Sequence, residues 1–125
     1  MKRVFSGAPW EKQVGYCRAI QAENHIYVTG CAPVEPDGST TKGGAYEQAK
    51  RCFEVIKEAL AGLDAGVEHV VRTRMFVTDI SQWEEYGRAH HEVFSDHPPA
   101  TTMVEVSKLI DPEMLIEIEA DAVLA

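Results

Sequence analysis

Residues 115–123 read LIEIEADAV, and this stretch decides which fold the chain can adopt. From Ile116 to Ala122 apolar and acidic residues alternate without a break. Successive side chains of a strand point to opposite faces of a sheet. One face is aliphatic and the other acidic: the first carries Ile116, Ile118, Ala120 and Ala122, the second Glu117, Glu119 and Asp121. The stretch predicts a strand with one face on a hydrophobic core.

Two amphipathic helices are predicted upstream of this strand. Apolar residues recur at helical spacing from Gly44 to Leu63. A second helix is predicted from a cap at Asp79 or Ser81 to about Phe94. Its apolar face is predicted to carry Trp83, Tyr86, His90, Val93 and Phe94.

Five further strands are predicted, at Arg3 to Phe5, Gly15 to Gln21, His25 to Thr29, Val70 to Thr78 and Ala100 to Ser107. The order is then β-β-β-α-β-α-β-β. This order favours an α+β fold in which both helices cover one face of a mixed β-sheet. With 125 residues, we expect one domain over residues 1–125.

Composition and charge exclude several classes of protein. Hydrophobic residues make up 45% of the chain, which is typical of a globular domain. Twelve basic and 20 acidic residues give a net charge of −8, which repels nucleic acid. No run of 18 apolar residues and no signal peptide is visible, so we expect no membrane partner. Three scattered cysteines without a C-x-x-C pair indicate a reducing, cytoplasmic compartment.

The sheet face opposite the helices carries threonine, methionine, glutamate and arginine. It is too polar for a full core and too mixed for an even charged surface. Such a face in a small domain often becomes a subunit interface in a closed ring, which predicts a homo-oligomer.

The acidic face of the last strand has two interpretations. Glu117, Glu119 and Asp121 could form a metal or acid–base site, or they could be a solvated face. Three acids on one strand lack the converging ligands that a metal requires, so we expect no metal. At an interface, however, Glu117 would be desolvated, and its raised pKa would suit proton transfer.

Other reactive side chains carry weaker signals. His90 is interpreted as a hydrogen-bonded core histidine and His91 as solvated. Arg72 and Arg74 share one face of a strand, as either a salt-bridge ladder or an anchor for a carboxylate ligand. Cys31 is interpreted as inert. No nucleophile or phosphate-binding motif is present.

Several segments together resemble the RidA (YjgF) family of reactive-intermediate deaminases, over nearly the whole chain. They are Gly15-Tyr16, Tyr27-Val28-Thr29-Gly30 with Pro33-Val34, Met75-Phe76-Val77-Thr78-Asp79, Glu92-Val93-Phe94, Pro99-Ala100-Thr101-Thr102-Met103-Val104-Glu105-Val106 and Ile116-Glu117-Ile118-Glu119-Ala120. The resemblance implies a chorismate-mutase-like α+β fold. It also implies a homotrimer with a ligand cleft between each pair of neighbouring subunits.

The resemblance further implies hydrolysis of imines and enamines derived from amino acids, without a metal or organic cofactor. Tyr16 matches a tyrosine near the cleft and is taken as catalytic. Thr29 and Gly30 match residues that place the ligand, and Glu117 matches the carboxylate that activates water.

Three positions depart from the deaminase pattern. Thr101 stands where deaminases carry the arginine that holds the substrate carboxylate, Met103 where many carry cysteine, and Gly87 where some carry asparagine. We assign all three to substrate binding, together with Trp83. A displaced anchor is expected among Arg74, Arg72, Arg18 and Arg88, and Arg74 is taken as the binding residue.

Two classes of function therefore stay open. The first is a trimeric enzyme in which Glu117 activates water toward a small imine or enamine. The second is a binding or sensing trimer without chemistry, in which Thr101, Met103, Trp83 and Tyr16 line a pocket for a small metabolite. Ribonuclease activity, attached to some relatives, is disfavoured by the charge of −8.

Overall fold

The computed structural model describes residues 1–125. Six strands form one sheet in the order β1-β2-β3-β6-β4-β5, in which only β4 and β5 run parallel. The strands are β1 (Lys2–Val4), β2 (Ala19–Ala22), β3 (His25–Cys31), β4 (Val70–Val77), β5 (Ala100–Glu105) and β6 (Ile116–Val123). The helices are α1 (Pro9–Val14), α2 (Ala45–Ala61) and α3 (Trp83–Phe94). The predicted mixed α+β sheet is confirmed.

Strand β6 lies at the centre of the sheet between β3 and β4. Ile116, Ile118 and Ala120 are fully buried, whereas Glu117 and Glu119 on the other face are partly exposed. The predicted alternation is confirmed, because a central strand covered on one side must bury every second residue.

Helix α2 packs its apolar stripe on β3 and β6, and α3 packs beside α2. Phe53, Ile56 and Leu60 are at most 1% exposed. Full burial of one such side chain stabilises the fold by roughly 1.5–3 kcal/mol. The helix begins where the Glu47 carboxylate accepts a hydrogen bond from the Gly44 N–H (3.1 Å). It ends just before Gly62.

Helix α1 was not expected, and it replaces the start of the strand predicted from Gly15. Pro9 occupies the first helical position, where its missing N–H costs nothing. Gly15 ends the helix in the left-handed conformation (φ 90°) and donates its N–H to the Glu11 carbonyl (2.9 Å). The strand therefore begins only at Ala19.

The start of α3 resolves the choice between the two predicted caps. The Asp79 carboxylate accepts the Ser81 N–H (3.1 Å), and a 3₁₀ turn over Ile80–Gln82 precedes the helix. Tyr86 and Phe94 are buried as expected, but Trp83 is 56% exposed. The expectation that Trp83 shares the buried apolar face of this helix is wrong, because Trp83 is the first residue of the helix and its side chain borders an open groove instead of the core.

The second sheet face is not covered by a helix. The β4–β6 register aligns Arg72 with Asp121, Arg74 with Glu119 and Phe76 with Glu117 on this open face. Tyr27 of β3 is 49% exposed there. No helix combines the length and apolar character needed to cross a membrane.

Candidate functional site

The structure divides the predicted site residues of one chain between two places. The bulge site is formed by Tyr16, Thr29, Gly30 and Glu117, where β3 departs from regular pairing with β6. The α3–β5 cleft is lined by Trp83, Gly87, Thr101 and Met103.

The bulge site centres on contact between Glu117 and Gly30. The register of β3 against β6 shifts between Val28 and Cys31, which brings the Gly30 backbone against the Glu117 carboxylate. A Cβ atom at Gly30 would stand 2.6 Å from Oε2 of Glu117. Only glycine leaves the carboxylate this position, so Gly30 shapes the site by lacking a side chain.

The surroundings of Glu117 favour its protonated form. Burial raises the pKa of this half-buried carboxyl above its usual range, the Arg18 charge opposes the shift, and Glu119 adds to it. A carboxylate with a raised pKa is a stronger base than an exposed glutamate. Glu117 is therefore suited to accept a proton from water.

Arg18 connects the residues of the bulge site through hydrogen bonds. It is 8% exposed, and its Nη1 donates to the Gly30 carbonyl (2.8 Å). Its Nη2 donates to the Tyr16 hydroxyl (3.4 Å), and its Nε donates to the buried Glu11 carboxylate (3.3 Å). The sequence offered Arg18 only as one of four possible anchors. These hydrogen bonds could not be predicted from residue spacing in the sequence, because the partners of Arg18 come from separate segments of the chain.

A shallow depression of about 450 Å³ adjoins the bulge site. Tyr16, Cys17 and Thr29 line it, together with the basic residues Arg3 and Lys12. The Thr29 hydroxyl donates to the Cys17 carbonyl (2.7 Å), so its hydrogen is already committed within the chain.

The two buried cysteines, Cys31 and Cys52, are poorly suited to nucleophilic chemistry. Cys31 is fully buried, and burial raises its pKa to about 11. Burial also raises the pKa of Cys52. Both thiols stay protonated at neutral pH, in agreement with the interpretation of Cys31 as inert.

The α3–β5 cleft is an open groove of about 360 Å³ between helix α3 and the edge of the sheet. Its lining contains no aspartate, glutamate, lysine or arginine. The polar side-chain groups of its lining residues are the hydroxyls of Thr101 and Ser95, the imidazoles of His90 and His91 and the indole N–H of Trp83.

A hydrogen-bonded chain beneath this cleft was missed in the sequence. The fully buried Thr73 hydroxyl donates to Thr101 Oγ1 (2.6 Å) and lies 2.8 Å from His90 Nε2. Burial lowers the pKa of His90, so the imidazole is uncharged at neutral pH. These residues are 17 and 28 positions apart, and only the β4–β5 register and the packing of α3 bring them together.

Arg74 lies in neither group. Its Nη1 contacts Glu119 (3.3 Å) and Asp121 (3.2 Å) on the open face, which matches the salt-bridge ladder that was one of its two interpretations. Its assignment to substrate binding stays a prediction. No three histidine, cysteine, aspartate or glutamate side chains converge as a metal site would require.

Within one chain the two places cannot line a common cleft. Thr101 pairs with Thr73, which faces the helices, whereas Glu117 pairs with Phe76 on the open face. Thr101 and Glu117 are offset by three residues along the strand direction, which is about 10 Å. They are also two strands apart across the sheet, which is roughly another 10 Å. A site that uses both groups must take them from two copies of the chain.

Comparison with known proteins decides the family. The family model described as Endoribonuclease L-PSP matches residues 8–124. The chain belongs to the RidA (YjgF) family. The crystal structure of Rv2704 from Mycobacterium tuberculosis, described as a member of the YjgF/YER057c/UK114 family, superposes with a TM-score of 0.91 at 38% identity, covering 98% of each chain.

Sequence relatives of this family agree. A RutC family protein of Pyrococcus abyssi is 36% identical over 123 residues, covering 97% of this chain and 96% of the relative. The protein SCO2049 of Streptomyces coelicolor is 36% identical over 122 residues, covering 98% and 91%. The resemblance noted in the sequence is confirmed, and with it the fold of the RidA family.

Proposed function

We propose that this RidA-family protein hydrolyses small imines and enamines in a cleft between neighbouring copies of a homotrimer. Family membership supports a role in processing small molecules. The observation that carries the proposal is Glu117, a half-buried carboxylate with a raised pKa that rests on Gly30.

The division of the predicted site supports an inter-subunit cleft. The bulge site lies on the open sheet face, and the α3–β5 cleft lies across the sheet edge. In a three-fold ring each copy would present its bulge site to one neighbour and its α3–β5 cleft to the other. Every interface would then carry one complete site.

The proposed reaction needs only water and the substrate. Glu117 takes a proton from water while the oxygen bonds to the imine carbon and the C=N electron pair moves to nitrogen, which takes up a proton from solvent water. Glu117 then gives its proton to that nitrogen as the C–N bond of the tetrahedral intermediate breaks, and the hydroxyl proton of the intermediate passes to solvent as the C=O bond forms. The products are a carbonyl compound and ammonia. The proposal includes no metal or organic cofactor, and it places the protein, with its three free cysteines, in the cytoplasm.

The test is hydrolysis of imines generated by an amino-acid oxidase, followed as keto-acid release. We expect wild type to accelerate release and Glu117→Gln to lose at least about 100-fold in kcat, since general-base catalysis contributes 10²–10⁴-fold. The matched control is Glu119→Gln, two residues along the same strand face. Light scattering should show the same trimer for all three proteins. Activity retained by Glu117→Gln contradicts the catalytic role.

A binding or sensing trimer is the second candidate, favoured by the absence of any charged side chain in the α3–β5 cleft. In that case ligands raise the melting temperature but are not consumed. We do not propose the endoribonuclease activity named by the family model, because a net charge of −8 opposes RNA binding. RNA cleavage that disappears in Glu117→Gln would reverse this judgement.

A further inference from the structure

We propose that the α3–β5 cleft selects substrates in which the part that occupies the cleft is uncharged. The Thr101 hydroxyl, positioned by Thr73 and His90, hydrogen-bonds to that part of the substrate. The inference rests on the proposed function in one respect, that the ligand of this cleft is the substrate.

The Thr101 hydroxyl is held in a fixed arrangement. Thr73 is fully buried, and its single hydroxyl hydrogen is donated to Thr101 Oγ1. His90 Nε2 then donates to Thr73 Oγ1. The rings of Phe53 and Phe94 fix the imidazole, with centroids 5.6 and 4.6 Å from that of His90. This arrangement leaves the hydrogen of Thr101 free to donate to a ligand oxygen or nitrogen in the cleft.

The cleft holds no permanent cation that would compensate the charge of a carboxylate. Its lining has no lysine or arginine, burial keeps His90 uncharged, and the only other basic side chain in the lining is the imidazole of His91. Arg88 is next to Gly87 in sequence, but its guanidinium stacks on Tyr46 at 3.6 Å and pairs with Glu85 at 2.7 Å. A carboxylate bound in this open groove would lose part of its hydration without gaining a lysine or arginine partner, which is less favourable than binding an uncharged group.

The remaining lining suits an uncharged, partly apolar group. Trp83, Met103 and Pro98 supply apolar surface around the hydroxyl. A cleft of about 360 Å³ is near the lower end of the usual range for small-molecule sites, about 300–1,000 Å³. An amide, ketone or imine with a short aliphatic chain satisfies both requirements.

The test compares isovaleramide with isovalerate, two probes of nearly the same shape that differ in charge. Titrations are followed by amide chemical shifts of the whole protein at pH 8, where an ordinary imidazole is uncharged. We expect isovaleramide to shift the signals of Gly87 and Thr101, and isovalerate to bind there at least about tenfold more weakly. Equal or tighter binding of isovalerate overturns the proposal.

Variants of Thr101 and Thr73 distinguish a role in positioning the hydroxyl from a role in stabilising the fold. Thr101→Val should weaken isovaleramide about 2- to 10-fold and leave isovalerate unchanged, since one neutral hydrogen bond contributes about 0.5–1.5 kcal/mol. Thr73→Val should reduce the preference for the amide in the same way, and Thr73→Ser should restore it. A loss that is equal for both probes in Thr101→Val overturns the proposal, even if Thr73→Val does not fold.

Turnover distinguishes this inference from the proposed function. Selective amide binding without hydrolysis of any imine leaves the inference standing and contradicts the proposed function. Faster hydrolysis of carboxylate-bearing imines than of imines from simple amines, unaltered by Thr101→Val, contradicts the inference and leaves the proposed function standing.

Discussion

At the scale of single residues, the contact between Gly30 and Glu117 governs the bulge site. Gly30 has no positive φ that would demand glycine, so its lack of a side chain matters for space and not for backbone freedom. The space it leaves is occupied by the Glu117 carboxylate. The proposed base and a missing side chain therefore belong to one feature.

Replacing Gly30 by alanine tests this contact. The new Cβ would meet the end of a flexible side chain, so Glu117 can turn away and the fold should survive. We expect kcat in the imine assay to fall at least about tenfold, because a small misplacement of a catalytic group costs up to 10²-fold. The melting temperature should stay close to that of wild type. The control is Gly44→Ala, where a Cβ meets nothing closer than 4.0 Å; unchanged activity in Gly30→Ala contradicts the assignment.

The raised pKa of Glu117 makes a second prediction, on stability. Where the folded-state pKa of a carboxyl is raised, the folded state binds more protons than the unfolded state between the two pKa values. Its contribution to stability therefore decreases as pH rises through that window. Glu117→Gln removes this cost, so its melting temperature should exceed that of wild type at pH 8, and the difference should shrink toward pH 4. A constant difference across this range contradicts the desolvated carboxyl.

The strand alternation and the family resemblance predicted Glu117, Tyr16, Thr29 and Gly30 as site residues, and the structure places these four together. Their functional roles stay predictions. They could be proposed from the sequence because a strand alternation and a family motif are local patterns. The hydrogen bonds of Arg18 and the chain from Thr101 to His90 depend on which strands become neighbours. That information lies in tertiary packing, and no local pattern carries it.

At the scale of elements, helix α1 depends on one buried ion pair. Glu11 and Arg18 are 4% and 8% exposed, and the Glu11 carboxylate also accepts hydrogen bonds from Ser6. Arg18 in turn binds the Gly30 carbonyl of β3. The pair fastens the N-terminal segment to the sheet beside the bulge site.

Arg18→Met should therefore destabilise the protein by about 3–5 kcal/mol, because removing one partner leaves a buried charge uncompensated. Urea unfolding measures the loss. Arg88→Met is the matched control, since Arg88 is 53% exposed in its pair with Glu85 and should matter much less. Equal losses in the two variants contradict a structural role for the buried pair.

Long elements with strong periodicity were predicted well, whereas α1 was missed. Helix α2 and strand β6 each repeat their pattern over several turns or pairs of residues. Helix α1 has six residues, too few for a period to show. Its only two sequence signals are Pro9 at the start and Gly15 at the end. Proline and glycine can equally mark the ends of a short strand, so they did not distinguish the two.

At the scale of the whole molecule, two incomplete sites and one uncovered sheet face point to assembly. Glu117 lies on the open face, and Gly87 lines the α3–β5 cleft. We propose that one turnover site takes its base from one copy and its binding cleft from the next.

Complementation between two inactive variants tests that claim most directly. Glu117→Gln removes the base, and Gly87→Trp fills the cleft, since a Cβ at Gly87 meets no atom within 4 Å. The two variants are co-expressed with different tags, and mixed trimers are purified from a 1:1 population and assayed for imine hydrolysis. Each variant alone should be inactive.

Every mixed trimer, whichever variant supplies two of its copies, contains one interface at which a copy with Glu117 meets a copy with an open cleft, so a third of its sites should be complete. We therefore expect about a third of wild-type activity in the purified mixed trimers. If both groups served one chain, every chain would carry a lesion and the mixture would stay inactive. Mixed trimers that are intact but inactive would contradict a site shared between two copies.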